Sequence, residues 1–270
     1  MIESITLINT ITEEIIDMDM VTSPGFIIDS VEIGSIAGKH STYKSYKQIG
    51  ETVSNTEIGT RDVSITGWAV AGIGKTMKDL KNTLNHFINP LEPIELYYSN
   101  FVLKFIPSNT IVYGNSYKDN NDKICKFSIY GVAYDPMFLQ DSPSSEIFAG
   151  ASPYVSKTYN NTGDIPIGIV VTITASGAVV NPYIHNITTG EKLTLQTSLG
   201  SSDTIYIDTR PGKKSLEDPG GINLFQYKTL DSQWPQLKVG SNTVRFGATS
   251  GANNMNIKTE LWKAYWEVQE

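Results

Sequence analysis

One run in this 270-residue chain invites a catalytic reading: Ala69-Val70-Ala71-Gly72-Ile73-Gly74-Lys75-Thr76. It follows strand-like residues and opens a helical pattern, the setting in which a glycine-rich loop and a lysine cradle phosphates. That loop requires a glycine five residues ahead of the Gly-Lys-Thr, and Ala69 stands there. No hydrophobic strand ending in aspartate supplies a magnesium partner. Thr76 fits better as a helix cap, and Gly72 and Gly74 as the tight turn before it. The three histidines, His40, His86 and His185, lie far apart with no second ligand at metal spacing, so neither a metal nor a cofactor is expected. No serine occupies a Gly-x-Ser-x-Gly elbow, and the many carboxylates single out no glycosidase pair. The lone Cys125 shares a strand face with Phe127 and Ile129 and reads as a buried, inert thiol. The expectation is a protein that is not an enzyme.

Aromatic residues crowd the C-terminal half: Trp234, Phe246, Trp262, Tyr265 and Trp266. Exposed on a β-sandwich they would stack on sugars. Trp262 and Trp266 follow Leu261 in the last strand region, where burial is the expectation.

These residues hang on a chain that is mostly β. Residues 61–68 alternate with period two, and 102–106 and 124–132 are strand-like as well. Between them Met77, Leu80, Leu84 and Phe87 fall on one face of a helix. Thr76 with Asp79 makes its capping box, Asn89-Pro90 ends it, and His86 sits favourably near its C-terminus. Length favours two domains: 1–135, strands with one helix, and 153–270, a sandwich or jelly roll of short strands between turn clusters. A Ser/Pro/Gly-rich linker, 136–152, is expected between them. Residues 34–60 show no sustained period and read as a long irregular segment, which fits a loop or arm that wraps a neighbouring subunit and equally a mobile stretch of surface.

The net charge is −7, with seven acids and no base in residues 1–35 (Glu3, Glu13, Glu14, Asp17, Asp19, Asp29, Glu32). An acidic chain without a basic stripe is a poor candidate for gripping nucleic acid. No leader and no membrane-spanning run of ~20 apolar residues is expected. The candidate subunit-interface residues are Lys39, His40, Tyr43, Lys44, Tyr46 and Lys47, whose lysines could face the acidic first 35 residues of an adjacent copy.

Several phrases, taken in order, resemble the distal tail protein family of long-tailed bacteriophages. In the first domain they are Arg61 with the strand through Gly67, Phe87-Ile88-Asn89-Pro90, Ile94-Glu95-Leu96-Tyr97-Tyr98, and Gly131-Val132-Ala133-Tyr134-Asp135-Pro136-Met137-Phe138. In the second they are Tyr159-Asn160-Asn161-Thr162-Gly163-Asp164 with Pro166, Ile205-Tyr206-Ile207-Asp208-Thr209, Trp234-Pro235-Gln236-Leu237 and Gly240-Ser241-Asn242-Thr243-Val244, with Trp234 for the usual Phe and Val244 for the usual Ile. The resemblance implies an N-terminal sandwich or barrel-like domain with a flanking helix and a C-terminal galectin-like β-sandwich. It implies a homo-hexameric hub at the tail tip, assembled in the bacterial cytoplasm. Such a hub joins the tail tube protein to the tail-associated or baseplate protein, often also to receptor-binding proteins, while DNA passes through without specific binding. The sugar-contacting set of true galectins has no counterpart around His185-Asn186. A carbohydrate-binding host-recognition module is the rival reading, and a wall hydrolase the third.

ATP and GTP are expected not to bind, because Ala69 replaces the required glycine. Micromolar affinity in calorimetry, lost on Lys75→Ala, would overturn this and reopen the enzyme reading.

Overall fold

The computed structural model describes residues 4–19 and 25–268. It divides into two compact units, residues 1–138 with 266–270, and residues 139–265. The division falls just past the expected boundary at 135. Residues 136–152 are not an irregular linker: they hold strands Phe138–Gln140 and Ser144–Ala149. The final residues rejoin the first unit, a return that composition alone does not signal.

The first unit contains β1 (Ser4–Asn9), β2 (Ile15–Asp19), β3 (Gly25–Ile33), β4 (Gly38–Tyr43), β5 (Thr52–Ile58), β6 (Arg61–Val70), α1 (Met77–Phe87), β7 (Ile94–Tyr98), β8 (Phe101–Pro107), β9 (Val112–Tyr113) and β10 (Ile124–Ala133). Seven strands run in the order β8-β7-β1-β2-β3-β6-β10, and β10 pairs back onto β8 through Gly131 and Val132. The sheet thereby closes into a barrel, which removes its free edges. Strict alternation makes this possible: β6 and β10 bury every second residue, including Val63, Ile65, Ala69, Cys125, Phe127 and Ile129. Cys125 is fully buried, and burial pushes its thiol pKa up.

Two glycines permit the close approaches. A Cβ at Gly131 would run into the Phe105 ring and lie 2.8 Å from the Ile106 carbonyl oxygen, at the seam itself. A Cβ at Gly67 would lie 2.6 Å from the Ile27 carbonyl oxygen and 2.7 Å from the Phe127 ring, beside the bulge in the β3–β6 pairing between Ile28 and Ser30.

Among the described residues α1 is the sole α-helix, and none is long and apolar enough to cross a membrane. Met77, Leu80, Leu84 and Phe87 bury its apolar face in the barrel core; each contributes about 1.5–3 kcal/mol. The Thr76–Asp79 capping box forms: the Asp79 amide donates to Thr76 Oγ1 at 3.2 Å and the Thr76 amide to Asp79 Oδ2 at 3.1 Å. The Thr76 hydroxyl and amide also hold the Asp79 carboxyl below its usual range.

Arg61 opens β6 with 1% of its surface exposed. Its Nη2 donates to the Trp266 carbonyl at 2.5 Å, its guanidinium lies 4.9 Å from the Phe138 ring centre, and Glu267 Oε1 is 3.5 Å away. Burial lowers its pKa and Glu267 partly restores it.

The second unit, with the boundary strand β11 (Phe138–Gln140), contains β12 (Ser144–Ala149), β13 (Tyr154–Asn161), β14 (Ile167–Gly168), β15 (Val170–Ala175), β16 (Val179–Asn186), β17 (Lys192–Thr194), β18 (Ser198–Leu199), β19 (Thr204–Asp208), β20 (Ser215–Glu217), β21 (Gln236–Leu237), β22 (Gly240–Ser250), β23 (Met255–Leu261) and β24 (Ala264–Tyr265). One sheet is β12-β23-β15-β19-β20, the other β13-β22-β16-β17, with β18 also on β16. Their inner faces meet as a sandwich. The Phe148 ring stands edge-on to Phe246 at 5.3 Å, and Tyr159 Oη bonds Thr259 Oγ1 at 3.1 Å. Trp262 and Trp266 are only half-buried, contrary to the expectation of a core position. β23 stops at Leu261, and the Arg210 guanidinium lies 4.4 Å from the Trp262 ring centre.

Three buried asparagines hold the loops of the sandwich. Asn161 Nδ2 donates to the carbonyls of Ile165 (2.9 Å) and Leu237 (3.1 Å). Asn186 Nδ2 donates to the Gln236 carbonyl at 2.6 Å. Asn242 donates to the carbonyls of Lys238 (2.7 Å) and Gly240 (2.9 Å), and accepts from the Lys238 amide at 3.0 Å. Each side chain substitutes for a missing strand partner.

Gly67→Ala should destabilise the protein by about 1–3 kcal/mol through overpacking against a backbone oxygen, read as a lower denaturant midpoint. An unchanged midpoint would mean that the β3–β6 contact is not as close as described.

Candidate assembly surface

The segment 34–60 is an ordered arm. β4 and β5 pair antiparallel as a two-stranded ribbon separate from the barrel sheet, from Gly38 opposite Ile58 to Tyr43 opposite Thr52, with a bulge between Ser41 and Thr42. The irregular loop expected from sequence is therefore wrong in form. Nearly every ribbon position is exposed on both faces. With no face to bury, no apolar alternation marks the strands.

The arm's tip is built by polar contacts. The Ser45 amide donates to Gln48 Oε1 at 2.9 Å, and Gln48 Nε2 to Thr52 Oγ1 at 2.7 Å. Lys47 and Gly50 turn the chain with positive φ, 60° and 81°. Glu51 accepts from Thr42 Oγ1 at 2.5 Å. The predicted interface residues are spread along this arm rather than gathered in one spot. Lys39, His40 and Tyr43 lie on β4, His40 Nδ1 being 3.0 Å from Thr56 Oγ1. Lys44, Tyr46 and Lys47 follow in the turn, with Lys47 Nζ 5.4 Å from the Tyr46 ring centre.

Sequence reasoning singled out Tyr43 and Tyr46 but missed the aliphatic share of this surface, Ile49, Val53 and Ile58. Tyr46 is 91% exposed and Ile49 fully so, and Val53 and Ile58 stand more than half exposed on β5. An isolated two-stranded ribbon is marginally stable in water, and exposed aromatic and branched side chains on one are the composition of an interface. Of the N-terminal acids, Glu3 lies outside the described residues. Glu13, Glu14, Asp17, Asp29 and Glu32 are exposed and Asp19 is half-buried. Asp29 pairs with Lys126 at 3.1 Å, and Asp17 accepts from Thr6 Oγ1 at 2.7 Å.

The run before α1 closes on itself. The Gly72 amide donates to the Lys75 carbonyl at 3.1 Å and the Lys75 amide to that of Gly72 at 3.2 Å, with Gly74 at φ 84°. It is a tight turn feeding a cap. At the other candidate position, His185 lies half-exposed while Asn186 is fully buried in its loop clamp, so the two adjacent side chains serve opposite faces of the sheet.

The first unit is thus a helix-capped barrel bearing a self-paired exposed arm, and the second is a β-sandwich. Residues 12–128 match the family described as phage tail protein RIFT-related domain, and residues 162–262 match the siphovirus-type tail component, C-terminal domain. Among solved structures the chain is similar to SPP1 Dit (gp 19.1), described as a paradigm of hub adsorption apparatus in Gram-positive infecting phages. The TM-score is 0.70 at 12% identity over 96% of this chain and 98% of that one. It is also similar to chains of the phage P2 baseplate in its activated conformation. With calcium the TM-score is 0.54 at 9% identity, covering 97% of this chain and 98% of that one. With strontium it is 0.54 at 9% identity, covering 96% and 97%. No curated protein matches. The chain belongs to the siphovirus distal tail proteins, and is a β-rich structural component of the phage tail and so of the virion.

In the free monomeric subunit, amides of 39–43 and 52–58 should exchange with solvent far faster than those of β6 and β10, because the ribbon has no packed face. Equal protection by hydrogen-exchange mass spectrometry would mean that the arm is already docked.

Proposed function

We propose that this protein is the hub at the distal end of the tail, a structural part rather than an enzyme. Six copies form a ring around the DNA channel, joining the tail tube protein to the tail-associated or baseplate protein. The arm carries this reading: it is a paired ribbon with both faces exposed and apolar side chains near its tip, which gains a packed face only on another chain. Tyr46 and Ile49 supply the apolar contact with the neighbour. Lys39, Lys44 and Lys47 meet its exposed acids and set register, since rim charges steer more than they bind. Assembly takes place in the host cytoplasm. An acidic lumen would repel phosphates and let DNA slide past; the outward acids of β1 to β3 are the candidates for it. The second unit is available for receptor-binding proteins. Its likeness to SPP1 Dit supports the hub role, as that protein is described as a hub.

Light scattering on the full chain should give a hexamer or its dimer. Tyr46→Ser with Ile49→Ser should give a folded monomer with an unchanged circular-dichroism spectrum, and deletion of 36–58 a folded monomer that has lost only the ribbon's strand signal. A wild-type monomer at all concentrations, or assembly untouched by the deletion, would overturn the arm's role.

A further inference from the structure

The sandwich carries an unexplained row of cations. Strand register sets Arg245 opposite His185 and His185 opposite Lys192, with Ser156 flanking Arg245 on the other side. Their neighbours Phe246, Ile184 and Leu193 are buried in the sandwich core, so alternation turns the row outward. Side chains directly opposite on adjacent strands lie about 4.5–5.5 Å apart at Cβ, and like charges there are destabilising. Among the described residues, Lys126, Lys157, Arg210 and Lys258 have carboxylate partners within 4 Å, whereas Arg245, His185 and Lys192 have none. Arg245 Nε is buried without a hydrogen-bond partner. All this occurs in a chain of net charge −7.

The next row holds the cations in place. The Arg245 guanidinium lies 4.4 Å from the Tyr154 ring centre and Lys192 Nζ 4.5 Å from that of Tyr183. Gly247 lies between the two tyrosines, and a Cβ there would come within 2.6 Å of Tyr183 Cζ. Glycine therefore lets that ring lie across the sheet and present a platform for Lys192. Two cations stacked on rings lose less freedom when they meet an anion.

We propose that this face binds an anionic polysaccharide, whose acidic groups bridge Arg245, His185 and Lys192 while the hydroxyls of Ser156, Thr158 and Thr194 bond its sugar hydroxyls. The surroundings favour that class. Each ring already carries a cation, which weakens it as a stacking platform for a nucleobase, and the row itself, Ser156, Arg245, His185 and Lys192, is polar or charged where a docked protein uses an apolar anchor. Exposed hydroxyls beside fixed cations suit a hydrated, charged sugar chain. The site is independent of ring formation.

The row also makes binding sensitive to pH. Burial first, then Lys192 and Arg245, lowers the His185 pKa. The charged groups that act on it are Lys192 on β17 and Arg245 on β22, while Asp231 in the adjoining loop lies within the field of Lys192. A bound anion offsets the two cations and raises the His185 pKa. Affinity therefore increases as pH falls through the histidine range.

Calorimetry on the full chain at low ionic strength tests this with four polymers: polygalacturonate, phosphomannan, neutral dextran and polyglutamate. Polygalacturonate or phosphomannan should bind, the tighter of the two identifying a carboxylate or a phosphate as the preferred anion, and dextran should not. Lys192→Gln, at an exposed position, should weaken binding about tenfold or more, as loss of a charge-assisted bond does, and Arg245→Gln should weaken it further. The tightening between pH 8 and pH 6 should vanish in His185→Gln. Equal or tighter binding of polyglutamate, or affinities unaltered in Lys192→Gln and Arg245→Gln, would overturn the assignment.

Discussion

Backbone amides at the ends and edges of strands need partners, and the first unit meets that need by closing β10 onto β8. An open sheet of this size would leave two rows of unpaired N–H and C=O groups, a template for indiscriminate pairing. Closure brings strands close enough that only glycine fits at Gly131 and Gly67. The second unit cannot close, so its long turns borrow acceptors and donors from Asn161, Asn186 and Asn242. A buried donor or acceptor left unmade costs about 1–3 kcal/mol, which is why these amides sit wholly inside.

The arm is the exception to this economy of edges. β4 and β5 satisfy each other along one side only and bury nothing. What is tolerated there is what the barrel eliminates: free edges and exposed apolar side chains. In the proposed hub, an edge withheld from self-pairing would be available to the neighbouring copy, and assembly would use the same hydrogen bonding and burial that fold the barrel.

Legibility in the sequence followed burial. The helix was readable to the residue, because Met77, Leu80, Leu84 and Phe87 face one core and Thr76 with Asp79 caps it. β6 and β10 were readable for the same reason. The phrases around Asn161 and Asn242 could be recognised as family signatures, although their physical purpose, clamping backbone, emerges only when the distant acceptors come together. The arm was not readable as strands, because a ribbon solvated on both sides has no alternation to display. Its lysines and tyrosines drew notice by type, while Ile49 and Val53, ordinary residues in sequence, are conspicuous only by exposure. The cation row was invisible for another reason: His185, Lys192 and Arg245 become neighbours through register across three strands. The half-buried state of Trp262 depended on where β23 stops, a boundary that periodicity does not fix.

The return of Trp266 to the first unit bears on how the protein is made. The carbonyl that accepts the Arg61 Nη2 proton belongs to a residue synthesised 205 positions later. At about 5–20 residues per second, the barrel waits on the order of ten seconds for that partner, with a guanidinium at the mouth of its core. Synthesis of Trp266 thus completes a contact of the first unit, and a chain that stops before it leaves the Arg61 guanidinium without that acceptor.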